Sequence, residues 1–324
     1  MYKLLYSFLI ILLGLVTGYI LQYVLIHQKK TGNLNNTFSK ENIIRVIQKI
    51  ALLFLNPIAL ISALWQVKLD NFGLILLPLL GIIAIFTGGS LSWLYASKMK
   101  YSNAQIGTLI ISGGFTNIGN IGGVITFIFL GETGYALVPL YKLFEELIYY
   151  GIGFPIARAH SDEVYQKGSL LRKLFSDIFI VVAVSSVIVG LILNYSHLPR
   201  PSYFKTLNQV IIPISTYLLL ITIGLNIKLT KISKYLKPAL MLMFIKSICT
   251  PIIVTTICYF LGLGSYSDGL VLKVVLILSS MPSGFLSLVP PTLYRLDVDL
   301  ANAVWMTTTL SLLWIIPLLS YLMY

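Results

Sequence analysis

Apolar runs separated by short polar stretches occupy nearly the whole chain. Runs at 4–26, 43–65, 72–97, 104–130, 134–157, 174–195, 205–227, 237–262, 269–295 and 298–323 each reach the ~20 residues needed to cross a hydrocarbon core. The pattern predicts an all-α polytopic membrane protein with ten transmembrane helices and no attached soluble domain. The first run is longer than the h-region of a signal peptide and lacks a small-residue cleavage site, so it is read as a mature helix.

Two runs are interrupted at matching places, by GGFTNIGNIGG at 113–123 in the fourth and SSMPSGFLSLVPP at 279–291 in the ninth. Irregular backbone at membrane depth leaves N–H and C=O groups unpaired, and it persists only where it is buried in protein or lines a cavity. A pair of Gly/Pro-interrupted segments in corresponding positions points to the binding site of a secondary transporter. At 1.5 Å per residue, about 13 helical residues reach the bilayer middle. Asn117 stands 13 residues into the fourth segment and Pro282 13 into the ninth, counted from opposite sides. Both breaks are therefore expected near the midplane.

A polar stretch read as a cytoplasmic linker at 158–167 joins two halves, 1–157 and 168–324, each holding one of the breaks. Five spans per half make the second half enter from the opposite side, which is an inverted repeat. Pro57 in segment 2 and Pro213 in segment 7 are further echoes, read as scaffold kinks.

Composition sharpens this picture. Hydrophobic residues make up 57% and charged residues 10% of the chain, against about 25% charged in soluble domains. The net charge of +12 sorts by side. The loops after odd-numbered segments hold sixteen basic residues: Lys29, Lys30, Lys40, Arg45, Lys49, Lys98, Lys100, Arg158, Lys167, Arg172, Lys173, Lys228, Lys231, Lys234, Lys237 and Arg295. The opposite side holds five: Lys3, Lys68, Arg200, Lys205 and Lys273. The positive-inside rule puts the odd loops in the cytoplasm and both termini outside the cytoplasmic membrane. The excess charge is thus an orientation signal with some lipid-headgroup contact, and nucleic acid is excluded as a partner. Cys249 and Cys258 lie on one segment, too far apart for a disulfide. His27, His160 and His197 show no metal-ligand spacing, and neither a metal nor a cofactor is expected.

The candidate substrate residues follow from the breaks. In segment 4 these are Thr116, Asn117, Asn120 and Gly122, where glycine lets the backbone unwind and the Asn side chains supply donors and acceptors. In segment 9 they are Pro282, Ser283 and Gly284. Pro282 removes a helix hydrogen bond. Neighbouring Ser279, Ser280 and Ser287 either bind substrate or re-satisfy freed backbone groups. A glycine packing face, with Gly119 and Gly123 at small-xxx-small spacing, is the structural alternative for segment 4. Lys142, Glu145, Glu146 and Tyr149 fall on one helix face at i, i+3, i+4 and i+7. Charges inside a membrane are costly and mark functional sites. With Lys246, the only other basic residue deep in a span, the four charges Lys142, Glu145, Glu146 and Lys246 sum to zero. They form a candidate coupling site, or else a structural ion-pair clamp.

These residues resemble the auxin efflux carrier family of bacterial and plant transporters, within the bile-acid symporter/auxin carrier superfamily, over essentially the whole chain. TNIGNIGGVI is similar to that family's fourth-helix Asn-Thr-Gly-x-x-Gly-x-Pro pattern. SSMPSGFLSLVPPTLYRLDVDLANAVWMTTTLSLLWIIPLL is similar to its last two helices, and FLNPIAL and the Pro–Gly spacing of segment 7 also match. Gly123 replaces the family's proline, and Gly284 and Phe285 stand where plant members carry an Asn. The charged cluster of segment 5 is not a family signature.

The resemblance implies two inverted five-helix repeats, with helices 4 and 9 broken and crossing at the substrate site. It also implies a scaffold of helices 1, 2, 6 and 7, a moving domain of helices 3–5 and 8–10, and a homodimer through the scaffold. Known plant members export auxin anions, and bacterial members are linked to malonate or malate uptake. The expected function is secondary transport of a small organic anion, with a proton or a sodium ion as coupling ion. A channel is disfavoured because no ring of like residues appears. A non-transporting sensor lacks a signalling domain, and an enzyme lacks a nucleophile–base or metal constellation.

Overall fold

The computed structural model of the protein describes residues 2–30, 39–66, 74, 76–161, 178–196, 198–227, 232–264 and 268–323. Most of the linker 158–167, with Lys167, Arg172 and Lys173, lies outside the described residues, as do Lys68, Lys228, Lys231 and His197. The described residues are helical apart from loops and one isolated β-bridge. Among the described residues eight helical stretches are long and apolar enough to cross a membrane, and the chain is a multi-pass membrane protein.

The elements are α1 (Tyr2–Lys30), α2 (Lys40–Gln66), α3 (Leu77–Lys98), α4 (Asn103–Gly114), α5 (Gly123–Tyr141), α6 (145–159), α7 (Ile178–Tyr195), α8 (Tyr203–Gly224), α9 (Ser233–Leu263), α10 (Leu270–Ser279), α11 (Val289–Leu293) and α12 (Val298–Met323). Between 118 and 159 the chain is helical for too long to be one span. Gly131, at φ 70°, turns it sharply. That left-handed value is one that only glycine adopts at little cost. A second interruption at 142–144 separates α5 from α6.

Prolines leave a repeated mark. π-helical turns at Ala51–Leu55, Tyr149–Gly153 and Ile245–Cys249 each end two residues before a proline, Pro57, Pro155 and Pro251 respectively. Proline has no N–H and its ring pushes away the carbonyl one turn back, so the turn widens. Two of these widened turns carry Tyr149 and Lys246.

The chain divides into two compact units. The first comprises residues 1–68, 127–136 and 178–228, hence α1, α2, α7, α8 and the hairpin around Gly131. Lipid tails are as apolar as leucine, so close backbone packing must hold such helices together. A Cβ on Gly18 would lie 2.8 Å from the Gly224 Cα, so only this glycine pair lets α1 and α8 approach so closely. Gly190 of α7 packs likewise on Leu64 of α2. Many large apolar side chains of the unit, among them Leu12, Ile20, Val184, Ile188 and Ile192, stay exposed, as a lipid-facing surface requires.

The same unit holds a polar cluster. The Arg200 Nη1 donates to Glu132 Oε2 at 2.8 Å, Ser62 Oγ at 3.1 Å and the Ser62 carbonyl at 3.2 Å. Asn208 Nδ2 donates to Ser62 Oγ at 3.0 Å. The sequence reading placed Arg200 among solvated loop charges. Its side chain is instead only 7% exposed and tied to the hairpin by an ion pair.

The second unit comprises residues 69–126, 137–177 and 229–324, hence α3, α4, α6, α9–α12 and the two ends of α5. Its core joins Leu109 of α4, Ala239 and Leu242 of α9, and Leu300, Ala303 and Val304 of α12. A second cluster sets Phe115, Tyr149, Phe154 and Tyr294 around Ile111. Ser102 caps α4 in a reciprocal capping box with Gln105.

Candidate functional site

The two interrupted stretches meet within the second unit. α4 ends at Gly114 and the chain leaves the helix through 115–117, extended at Phe115, before helix resumes at Ile118. α10 ends at Ser279, and an extended stretch runs through Gly284 into a 3₁₀ turn. The extended pieces pair antiparallel, with a bridge between Thr116 and Ser283. The Asn117 N–H donates to the Pro282 carbonyl at 2.9 Å, and the Gly284 N–H to the Phe115 carbonyl at 3.0 Å. Pro282, which has no N–H to donate, contributes only an acceptor here.

Gly284 is required by the close approach, since a Cβ there would lie 2.8 Å from the Thr116 carbonyl oxygen. Three more backbone N–H groups of the breaks find partners, as buried groups need. Thr116 N–H donates to the Tyr149 hydroxyl at 2.7 Å, Ser283 N–H to Thr308 Oγ1 at 3.2 Å, and Gly122 N–H to the Asn117 carbonyl at 3.1 Å.

The serines of segment 9 divide between backbone and unpaired roles. Ser279 and Ser280 donate back to carbonyls of their own helix, and Ser283 Oγ donates to the Ser112 carbonyl at 2.6 Å. Ser287 is buried with its hydroxyl unpaired.

Charged and aromatic groups line one side of the crossing. Lys246 Nζ donates to Thr116 Oγ1 at 2.5 Å and to the Phe115 carbonyl at 3.3 Å. The Tyr149 hydroxyl, which accepts from the Thr116 N–H, donates to Glu145 Oε1 at 2.8 Å. Glu145 pairs with Lys142, Oε2 to Nζ 3.4 Å. The Phe115 ring stacks on Tyr149 at 3.8 Å between centroids.

The sequence reading put Lys142, Glu145, Glu146 and Tyr149 on one continuous helix face. The turn at 142–144 breaks that face, although Lys142–Glu145 and Glu145–Tyr149 contacts form across it. Glu145 is buried while Glu146 is half-buried, so the two carboxylates occupy different environments. Lys246 does not pair directly with the acids. It reaches Glu145 only through Thr116 and Tyr149.

The candidate substrate residues fall close together. Thr116, Asn117, Gly122, Pro282, Ser283 and Gly284 are buried and Asn120 is half-buried. The Asn117 Nδ2 is buried without a hydrogen-bond partner. It lies at the start of the helix running from Ile118, whose first N–H groups have no intrahelical acceptors. A buried, unpaired amide donor beside the positive end of a helix suits an anion. Gly122 packs instead on Leu278 and Met281, so its part is the close helix contact of the packing alternative. Sequence reasoning missed Phe115, Ser112 and Thr308. The prolines at 155 and 251 could have drawn attention to the wide turns holding Tyr149 and Lys246. Thr308 has no local signal.

A helical multi-pass membrane protein with two interrupted segments paired inside one unit is the class that fold and site define. No protein-family model matches the chain. It is similar to a protein named an uncharacterized transporter from Methanothermobacter thermautotrophicus, 23% identical over 316 residues that cover 93% of each chain. It is also similar to a protein named an uncharacterized transporter from Methanocaldococcus jannaschii, 28% identical over 249 residues, covering 73% of this chain and 75% of that one.

Proposed function

We propose that the protein is a secondary transporter of the auxin efflux carrier family that moves a small organic anion across the cytoplasmic membrane by alternating access. The observation that carries this reading is the antiparallel pairing of the two breaks, with the unpaired Asn117 amide beside them. The transporter names of the two archaeal relatives support the class. Counting α4 with α5 as far as Gly131, and α10 with α11, as single broken spans gives ten crossings in two inverted five-helix repeats. The helix membership of the two units supports a scaffold of segments 1, 2, 6 and 7 and a moving domain of segments 3–5 and 8–10. The substrate binds at Thr116, Asn117, Asn120, Pro282, Ser283 and Gly284, with Gly122 holding the helix contact behind them. Lys142, Glu145, Glu146 and Lys246 couple its binding to a proton taken up by one of the two carboxylates, and the protein works as a homodimer through the scaffold.

A thermal-melt screen of purified protein against mono- and dicarboxylates tests the substrate class. At least one carboxylate raises the melting temperature saturably. A flat response across the whole panel, with cationic and neutral solutes giving shifts instead, removes the organic-anion assignment. Orientation is read independently. A cysteine at Gly32 should be labelled only after the inner face is exposed and one at Ser196 from outside, and the reverse pattern overturns the inside-positive assignment.

A further inference from the structure

We propose that the Lys246 ammonium fills a monovalent-cation site built from oxygens at the C-terminal end of α4, so that the chain carries its own cation at the crossing. The side chain is 1% exposed. Among the described residues it has no carboxylate within ion-pair distance. Its partners are the Thr116 hydroxyl and the Phe115 carbonyl. Burying an unpaired ammonium is expensive unless dipoles replace its water. Here the replacement is the negative end of the α4 dipole, together with a carbonyl freed by unwinding. Unwound carbonyls and half-helix C-termini are the groups that coordinate sodium in transporters with broken helices.

A second observation lies one turn along the same helix. Thr250 is buried and its hydroxyl has no hydrogen-bond partner, and the same holds for Ser112 on the last turn of α4. Thr250 Oγ1 and the Gly113 carbonyl both lie against one point of α3, the place where a Cβ on Gly88 would sit, 3.6 Å from Thr250 Oγ1. Buried oxygens without partners thus stand on the last turn of α4 and one turn along α9 from the ammonium. Oxygen alone is the ligand type that hard cations take. Glu145, itself paired with Lys142, stands three hydrogen bonds from the ammonium, through Thr116 and Tyr149. Lys246 thus places a cationic group of the chain itself where a cation-coupled carrier would bind a free ion.

The inference deepens the transport reading at the same crossing, but its test reads cation binding alone. Purified wild type and Lys246→Ala are melted in sodium, potassium and choline chloride at equal ionic strength, without substrate. Wild type should melt at one temperature in all three. Lys246→Ala should melt lower in choline and recover saturably in sodium, because a ligand that binds only the folded state stabilises it by mass action. Lys246→Met, which fills the space without charge, should be destabilised alike in every salt.

A folded Lys246→Ala with the same melting temperature in all salts overturns the proposal, as does a wild type stabilised by sodium. If Lys246→Ala gives no folded protein in any salt, Lys246→Met decides. A Met variant as stable as wild type overturns the proposal, and one destabilised in all salts upholds it. A carboxylate-induced shift of the wild type, read in a separate arm, leaves the transport reading standing whichever way the salts fall.

Discussion

Asn117→Ala loses binding of the organic anion while the protein still folds and inserts. The Nδ2 donor is buried with no protein partner, so removing it frees no other group and leaves no acceptor orphaned. The Asn117 main chain, which carries the pairing to Pro282 and closes onto Gly122, is untouched by the change. Loss of a buried hydrogen bond to a charged ligand costs about 1–3 kcal/mol, roughly 5- to 150-fold in affinity. The thermal shift produced by the best carboxylate should shrink accordingly, and the substrate-free melting temperature should stay near that of wild type. A normal carboxylate shift would move Asn117 to a packing role. A collapse of the substrate-free melt would make it a structural residue.

The largest effect on stability is expected in the other unit. Arg200→Met strips the partner from Glu132 and removes one of the two donors that serve Ser62. Breaking a buried ion pair by deleting one member costs about 3–5 kcal/mol, because the surviving charge is left without compensation. The Glu132 Oε1 is already buried without a partner, so no second donor stands ready. Arg200→Met should lower the melting temperature in detergent sharply. Adding Glu132→Gln should restore much of the loss, since the remaining charge is then gone. A single variant as stable as wild type, or a double variant worse than the single, would deny that the pair fastens the hairpin around Gly131.

Much of this could be read from the chain, for physical reasons that also set the boundary. The breaks at 113–123 and 279–291 are legible because glycine and proline act locally, and their antiparallel pairing accounts for Thr116, Pro282, Ser283 and Gly284 lying together. The turn at 142–144 was hidden by a spacing that fits an unbroken helix. Arg200 read as a loop charge because its partner Glu132 is 68 residues away. Lys246 was recognised as a buried charge, but its bond to Thr116 spans 130 residues and nothing local directs it there rather than to the acids of α6. Contacts between distant residues decide which of several buried polar groups meet, and sequence periodicity does not record them.

Alternating access at the crossing is tested most directly by exchange in proteoliposomes. The protein is reconstituted, the vesicles are loaded with the unlabelled carboxylate that gave the largest thermal shift, and uptake of the labelled form is followed. A carrier brings one site to each face in turn, so uptake should saturate with external concentration, be faster when the inside holds unlabelled substrate, and be lost in Asn117→Ala. Flux that rises in proportion to concentration, is indifferent to internal substrate and persists in Asn117→Ala would contradict the account and make the protein a pore.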